Sequence, residues 1–267
     1  MFAVGRFPSV GIGLVVIATG RYRRFLPGLV ASAEVHVAGL DRIVALVDDV
    51  RSVPRSPVVT ALPYGHRPWP YPTLLRYRAM DDHRQLLGET DHLVYVDVDM
   101  RFASSFVSPV ERGVFAVQHP YFVDAPPSEL PYERDPASRA FVATGDGERY
   151  VAGGVQGGRS TDYLDAITEM AGWIDGEMVA GRTPIWHDES IWNRWCIEHP
   201  PAVVLDERYC WPEERTDGSP VIVALQKRHD YYRASTRRAA AAAVARPLLA
   251  ATRRRLRSVG RRGARNA

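Results

Sequence analysis

The sequence is poor in cysteine and contains no long apolar run. Its two cysteines, Cys196 and Cys210, are too few for a disulfide framework and stand in no zinc-type spacing. The most apolar early stretch, residues 10–18, has nine residues, whereas a membrane-spanning helix needs about 20. The first residues also lack the small-residue cleavage pattern of a signal peptide. We therefore expect a cytoplasmic protein from a reducing compartment, with residues 10–18 as a buried strand.

Lysine and acidic residues are absent from the end of the chain. Residues 237–267 contain 10 Arg and no Asp, Glu or Lys, and they account for the net charge of +3. The rest of the chain has 24 Lys and Arg against 31 Asp and Glu, a net charge of −7. This acidic body argues against a general nucleic-acid-binding protein. The tail itself has two interpretations, a solvated cationic extension or a helix on anionic lipid at the inner membrane surface.

The remaining composition, with 46% hydrophobic and 24% charged residues, is that of a folded globular protein. Hydrophobic patterning predicts strands at residues 10–18, 42–47, 58–62 and 92–96. It predicts helices at residues 22–36, 73–87, 160–179 and 188–198. Because strand, helix and strand alternate, we expect an α/β fold with a parallel βαβ unit. The expected organisation is an N-terminal segment at residues 1–9, a catalytic domain at 10–235 and a basic tail at 236–267.

Two aspartates, Asp97 and Asp99, follow the predicted strand at residues 92–96. Ligands of open α/β sheets bind outside the carboxyl ends of the strands, so both carboxylates stand where a ligand is expected. Carboxylate oxygens bind hard divalent cations such as Mn²⁺ or Mg²⁺, and the oxygens of a nucleotide diphosphate can complete the coordination shell. The D-x-D pattern alone is common, and its other interpretation is a solvated strand end.

A second acidic pair, Asp188 and Glu189, begins the predicted helix at residues 188–198. Such carboxylates either complement the helix dipole or act on a bound ligand. Upstream, residues 153–158 contain four glycines, which form a flexible turn or let a bulky ligand approach the backbone closely. This run does not have the strand-to-helix G-x-G-x-x-G spacing of a dinucleotide-binding loop.

These blocks are part of a longer series, through which the chain resembles the family of the ABO blood-group glycosyltransferases and α-1,3-galactosyltransferases over about residues 10–233. The series, in the family's order and near its spacing, is Leu93-Val94-Tyr95-Val96-Asp97-Val98-Asp99-Met100, His119-Pro120, Tyr132-Glu133-Arg134, Gly153-Gly154-x-x-Gly157-Gly158, Trp186-His187-Asp188-Glu189-Ser190, Tyr209-Cys210-Trp211 and Lys227-x-His229. The resemblance implies a GT-A fold with a Rossmann-like nucleotide-binding half and a mixed central sheet. It also implies manganese or magnesium and the retaining transfer of a sugar from a UDP-sugar to a galactose-containing acceptor in α-1,3 linkage. Animal members carry a membrane anchor, so we expect a bacterial relative without one.

The resemblance implies a role for each of these residues in donor binding. It places the metal on Asp97 and Asp99, and it places Glu189 against the anomeric carbon. Glu189 then acts either as the nucleophile that forms a glycosyl-enzyme or as the group that stabilises an oxocarbenium-like centre. The implied nucleotide contacts are Ile17, Ala18, Thr19, Tyr22, Arg76, Val98, Lys227 and Arg233. Lys227 and Arg233 belong to a segment that closes over the diphosphate, where positive charge stabilises the leaving group.

The sugar contacts that the resemblance implies form two groups. The donor sugar is assigned Ala152, Gly153, Gly154 and Asp188, and the acceptor is assigned His119, Trp186 and Glu213. Small residues at 152 and 154 leave room for an N-acetyl group, which favours UDP-GalNAc over UDP-Gal. Pro212 stands where the family usually has an acceptor-binding aspartate, so Glu213 is the expected substitute. The acceptor is a glycan, either free or lipid-linked.

Several interpretations stay open at this stage. Without its context, Arg76 is a solvated helical arginine, Tyr22 a packing residue and His119 a structural loop histidine. Two other function classes also use such a scaffold: a non-catalytic module that binds a sugar nucleotide or glycan, and a nucleotidyltransferase with carboxylate-bound metal. The Pro212 departure supports the first, whereas the missing phosphate loop before the first helix argues against the second.

Overall fold

The computed structural model describes residues 10–227. The predictions for His229, for Arg233, for the N-terminal segment at residues 1–9 and for the tail at residues 236–267 therefore lie outside the described residues. The same holds for the proposed contact of the tail with anionic lipid.

The central element is a seven-stranded mixed sheet, as the resemblance implies. Its strands, in spatial order, are β3 (Val59–Pro63), β2 (Leu40–Val47), β1 (Ile12–Ala18), β4 (His92–Val96), β7 (Val155–Arg159), β6 (Val114–Val117) and β8 (Val203–Leu205). The first four strands are parallel to one another, β7 is antiparallel to both of its neighbours, and β6 and β8 are again parallel. The parallel part contains the βαβ unit that the sequence predicts. Its last strand, β4, is also the middle strand of the whole sheet, and Asp97 and Asp99 follow it directly.

The parallel strands are apolar throughout because both faces of the sheet are covered. All seven residues of β1 are buried. Leu14 and Val16 pack into the hydrophobic cluster that includes α1 (Leu26–His36), whereas Val15 and Ile17 pack on the other face against α5 (Ser160–Val179) and α6 (Asp188–Glu198). A strand alternates its side chains between the two faces, so an apolar run without alternation fits only this layered arrangement.

The helices agree with the sequence predictions at two places and differ at two others. The bounds of α5 and α6 are those predicted. The predicted helix at residues 22–36 begins as a 3₁₀ segment at Gly20–Phe25 before α1. The single helix predicted at residues 73–87 is wrong, because this segment forms three short helices, α2 (Tyr71–Leu74), α3 (Arg76–Asp81) and α4 (Arg84–Leu87).

The two breaks lie where the backbone leaves the helical range. Leu75 and His83 have ψ values of 13° and 17°, outside the helical range, so the ladder of hydrogen bonds is interrupted before α3 and before α4. The first break lets α3 bury both Arg76 and Tyr77. A continuous surface helix with an ordinary apolar stripe would keep the arginine in solvent.

A small sheet closes one side of the site. It consists of β5 (Met100–Phe102), β10 (Ile222–Ala224) and β9 (Trp211–Pro212), with β10 between the other two. Because β10 pairs with β5 directly after Asp99, it brings Lys227 back to the aspartates. Within residues 10–227, no helix has the length and apolarity needed to cross a membrane.

Candidate active site

The two aspartates after β4 differ in exposure and in partners. The Asp97 side chain is 31% exposed, and its Oδ1 accepts a hydrogen bond of 2.7 Å from the hydroxyl of Tyr95. Asp99 is buried, and its carboxylate contacts the ammonium group of Lys227, which is the only lysine in the chain. Burial raises the pKa of Asp99, and the charge of Lys227 opposes that effect. A cationic group therefore already occupies the position next to Asp99.

The oxygens of Asp97 and Asp99 form a hard ligand set that suits Mn²⁺ or Mg²⁺. Among residues 10–227, no cluster of three or more His, Cys, Asp or Glu side chains is arranged to hold a metal ion. Two carboxylates leave a divalent cation undersaturated, so the donor set fits a metal only when a ligand such as a diphosphate supplies further oxygens.

Arg76 is an internal arginine and not the solvated one that its position in a helix suggests. It is 3% exposed, its Nε lies 2.5 Å from Oδ2 of Asp188, and its Nη2 lies 3.6 Å from Oδ1 of Asp97. Its Nη1 donates a hydrogen bond of 2.5 Å to the carbonyl of Gly153. One guanidinium thus joins β4, the start of α6 and the glycine run.

Asp188 is buried in the same network, and burial raises its pKa to about 7 even though Arg76 opposes the shift. The contact with Arg76 is an ion pair without the geometry of a linear hydrogen bond, since neither Nε nor Oδ2 has a hydrogen-bond partner among residues 10–227. Both groups are removed from water, so the charge of each depends on the other.

The carboxylate of Glu189 is held at both oxygens. Its Oε2 accepts a hydrogen bond of 2.8 Å from the backbone N–H of Gly153, and its Oε1 accepts one of 3.0 Å from the hydroxyl of Tyr150. Burial raises the pKa of Glu189, and these two hydrogen bonds oppose the shift. Each carboxylate oxygen has more than one lone pair, so both keep acceptor capacity for a substrate.

The turn before α6 aims this acidic pair into the site. His187, directly before the helix, has a φ of +56°, a left-handed conformation that non-glycine residues adopt rarely. The backbone N–H of Trp186 donates a hydrogen bond of 3.0 Å to Oγ of Ser190, which closes the turn. Trp186 itself is 47% exposed, and its carbonyl accepts a hydrogen bond of 3.1 Å from the backbone N–H of Glu189.

The four glycines of this run have two kinds of surroundings. A Cβ on Gly157 would lie 2.5 Å from a carbonyl oxygen of β4, and one on Gly158 would lie 2.3 Å from the carbonyl oxygen directly before β6, so these two positions need glycine for packing within the sheet. A Cβ on Gly153 would lie 3.2 Å from Glu189, and one on Gly154 would lie 3.0 Å from Oδ2 of Asp97. These two glycines therefore border the acidic groups of the site.

The other predicted donor residues lie nearby with different degrees of burial. Ile17 and Ala18 end β1, and the side chains of Ala152 and Val98 lie in the hydrophobic core. The ring of Tyr22 has its centroid 5.6 Å from Nζ of Lys227, so it lies next to the aspartates. Their predicted contacts with a nucleotide or sugar stay predictions.

Thr19 has a partner that the sequence did not indicate. Its hydroxyl lies 3.1 Å from Nδ1 of His66, a residue in the proline-rich segment before α2. The same imidazole also covers Gly20, where a Cβ would lie 2.7 Å from the ring. His66 thus belongs to the wall beside the predicted nucleotide-binding residues.

The predicted acceptor residues His119 and Glu213 both make contacts within the protein. Burial lowers the pKa of His119 to about 4, so its imidazole is neutral near pH 7. The His119 ring packs against Tyr150 with centroids 5.7 Å apart. Oε2 of Glu213 accepts a hydrogen bond of 2.7 Å from the backbone N–H of Gln226, the residue before Lys227. Pro212, at the departure from the family pattern, is buried in β9.

Three supporting residues lie outside the predicted set. Tyr95 holds Asp97, Tyr150 holds Glu189, and Asn193 joins the backbone of Glu189 to that of Val151. The contacts of Tyr150 and Asn193 connect residues that are about 40 positions apart in the chain, so no local spacing reveals them. The sequence offers one local signal: a tyrosine stands two residues before Asp97, and another stands three residues before Gly153.

Comparison with known proteins gives a consistent result. The model of glycosyltransferase family 6 matches residues 5–233. Globoside alpha-1,3-N-acetylgalactosaminyltransferase 1 of Canis lupus familiaris is 31% identical over 221 residues, which cover 78% of this chain and 62% of that protein. Histo-blood group ABO system transferase 1 of Rattus norvegicus is 28% identical over 244 residues, covering 85% and 70%. Human alpha-1,3-galactosyltransferase 2 is 30% identical over 222 residues, covering 77% and 64%. The chain thus spans less than two thirds of the length of the globoside relative.

Proposed function

The chain belongs to glycosyltransferase family 6, and we propose that it transfers N-acetylgalactosamine or galactose from a UDP-sugar to a galactose-containing glycan in α-1,3 linkage. The activities that the relatives' names state support this substrate class. The observation that carries the proposal is the placement of Glu189, which is fixed at both oxygens beside the Asp97–Arg76–Asp188 network.

The reaction breaks the bond between the anomeric carbon and the diphosphate oxygen and forms one to the acceptor hydroxyl, whose proton is released. With retention, the acceptor oxygen ends on the face that the diphosphate leaves. Glu189 lies on the opposite face, where its negative charge acts on the positive charge that develops at the anomeric carbon. It does so as a nucleophile in two displacements or as an electrostatic stabiliser, and its free lone pairs permit either role.

Asp97 and Asp99 would hold the divalent metal together with the donor diphosphate. When bound, this metal supplies a Lewis acid that neutralises the charge of the departing UDP. Lys227 contacts Asp99, and the same ammonium would stabilise the charge of the diphosphate once the donor is bound. Arg76 stays with Asp97 and Asp188 and keeps both carboxylates oriented.

The donor preference is part of the proposal. Gly154 borders Asp97, and a Cβ there would lie 2.6 Å from the methyl carbon of Met100 and 3.0 Å from Oδ2 of Asp97. Glycine at 154 and alanine at 152 leave room for the N-acetyl group, so we propose UDP-GalNAc as the preferred donor. The cytoplasmic location stays a prediction from the sequence.

Release of UDP tests the proposal. The full-length chain is incubated with a galactoside acceptor, Mn²⁺ and one of a panel of UDP-sugars. We expect UDP release with UDP-GalNAc or UDP-Gal, and a fall of about a hundredfold or more when EDTA removes the metal, because Lewis-acid stabilisation contributes several kcal/mol. Nucleotide binding without release from any donor would instead identify a non-catalytic module, and formation of pyrophosphate would identify a nucleotidyltransferase.

A further inference from the structure

Tyr150 combines full burial of its ring with a hydroxyl that reaches Glu189. It is 0% exposed, and the hydroxyl donates a hydrogen bond of 3.0 Å to Oε1 of Glu189. Its ring packs against His119, Phe122 and Tyr132 at centroid distances of 5.7, 5.4 and 5.4 Å. We call these four residues the aromatic cluster. Since the ring is enclosed, the position of the hydroxyl is set by packing rather than by the side chain's own rotamer freedom.

The backbone beside Tyr150 is fixed to the same helix that carries Glu189. Asn193 accepts a hydrogen bond of 2.8 Å from the N–H of Val151 and donates one of 2.8 Å to its carbonyl. The same amide donates a bond of 2.9 Å to the carbonyl of Glu189. The segment that carries Tyr150 and the first turn of α6 are therefore joined at two levels, backbone to backbone through Asn193 and side chain to side chain.

The surroundings of the Tyr150 hydroxyl keep it protonated. Burial and the neighbouring carboxylate of Glu189 raise the pKa of Tyr150 far above its ordinary value. The phenol therefore keeps its proton throughout the working pH range. A protonated phenol beside a carboxylate can act as a donor, which orients one lone pair of Oε1 and leaves the others free.

We propose that Tyr150 is a positioning residue. Its hydroxyl fixes the carboxylate of Glu189 against the anomeric carbon, and its ring connects that carboxylate to His119, the residue predicted to contact the acceptor. This inference rests on the proposed function. The hydroxyl of Tyr150 donates to the carboxylate of Glu189 and its ring packs against His119, so this one side chain sets the distance between Glu189 and His119. A reacting group that is displaced by about 1 Å loses about a hundredfold in rate.

Tyr132 provides a matched control. It is buried in the same aromatic cluster, and its hydroxyl donates a hydrogen bond of 2.8 Å to the carbonyl of Arg149 instead of to a group of the site. Tyr132→Phe and Tyr150→Phe therefore remove the same atom from neighbouring rings. Any loss due to weaker packing or to one missing hydrogen bond in the cluster affects both variants.

The kinetic test compares these two variants with the wild-type chain. For Tyr150→Phe we expect kcat to fall about 10- to 100-fold while KM for the UDP-sugar changes less than about threefold. The substitution misplaces the carboxylate of Glu189 but leaves the contacts that bind the donor unchanged. For Tyr132→Phe we expect kcat within about twofold of the wild-type value. Equal kcat losses in both variants, or a change in KM alone, would overturn the proposal.

A second measurement does not depend on turnover. Carboxyl ¹³C NMR of glutamate-labelled protein follows the titration of Glu189, with Glu189→Gln as the assignment reference. Loss of the Tyr150 donor should raise the pKa of Glu189 by about one unit or more, because a hydrogen bond to a charged group stabilises the ionised form by about 1.5–3 kcal/mol. The other titratable groups that act on Glu189 or on its neighbours are unchanged in both variants: Arg76, Asp97, Asp188 and Cys210.

The outcomes separate this inference from the proposed function. If the wild-type chain transfers no sugar, the proposed function fails, and an unshifted Glu189 titration in Tyr150→Phe still overturns the contact on its own. If Tyr150→Phe does not fold, 3-fluorotyrosine at position 150 keeps the ring and provides a more acidic donor. The pKa of Glu189 should then fall below the wild-type value, and an unchanged value would overturn the proposal.

Discussion

Replacing Glu189 by Gln is expected to lower kcat by about a thousandfold while the affinity for the UDP-sugar stays within about threefold of the wild-type value. The amide keeps the size of the side chain and a carbonyl oxygen for the N–H of Gly153, and its NH₂ group can donate to the hydroxyl of Tyr150. Only the negative charge is lost. That charge is needed when positive charge develops at the anomeric carbon and contributes little to the binding of the intact donor.

Single-turnover rates and calorimetric titration with the UDP-sugar measure the two quantities. Glu129→Gln is the matched control, because Glu129 is exposed on a short 3₁₀ turn. Its kcat should lie within about twofold of wild type, as is usual for surface substitutions. A Glu189→Gln enzyme with wild-type turnover would remove Glu189 from the mechanism. Loss of donor binding together with turnover would show that Glu189 shapes the donor pocket instead of acting on the reaction.

Replacing Arg76 by Met should lower the free energy of unfolding by about 3–5 kcal/mol, because it leaves buried Asp188 without its cationic partner. The substitution also removes the contact with Asp97 and the hydrogen bond to the carbonyl of Gly153. Urea unfolding measures the change. Arg78→Met, two residues further along α3, is the matched control, since the Arg78 side chain is 43% exposed and pairs with Asp81 and Asp175. That variant should lose less than about 1 kcal/mol.

The Arg76→Met penalty should depend on pH in a defined direction. Burial holds the pKa of Asp188 at about 7 in the wild-type fold, and loss of Arg76 raises it further. In the folded variant, Asp188 then keeps a proton that the unfolded chain has already released near its ordinary value of 3.8. A folded state that binds more protons loses stability as pH rises. The penalty should therefore be larger at pH 8 than at pH 5, and a penalty that shrinks toward pH 8 would contradict the role of Asp188.

The sequence predicted correctly the elements with a clear hydrophobic pattern. Strand β1 is apolar on both faces, and the bounds of α5 and α6 follow from periodicity and from turns beside them. It failed at residues 73–87, where the backbone leaves the helical range at Leu75 and at His83. The break at Leu75 accompanies the burial of Arg76 in its ion pair with Asp188, a tertiary contact about which local propensity contains no information.

The sequence predicted the site residues that are expected to contact the metal or the substrate. It did not predict the residues that hold those side chains in place. Asp97, Asp99 and Glu189 belong to recognisable blocks, whereas Tyr150 and Asn193 are common residue types whose importance comes from contacts about 40 positions away. The sequence did not distinguish the two pairs of glycines in residues 153–158. Gly157 and Gly158 are required by the close approach of neighbouring strands, while Gly153 and Gly154 border the acidic groups.

The anomeric configuration and linkage of the product test the central claim most directly. The full-length chain, with Mn²⁺, UDP-GalNAc and a terminal galactoside, should yield a disaccharide whose proton NMR spectrum shows an α-anomeric signal and a bond to O3 of galactose. That result requires attack from the face that the diphosphate leaves, with Glu189 on the opposite face. A β-linked product would contradict the account, since the acceptor would then approach from the side that Glu189 is proposed to occupy.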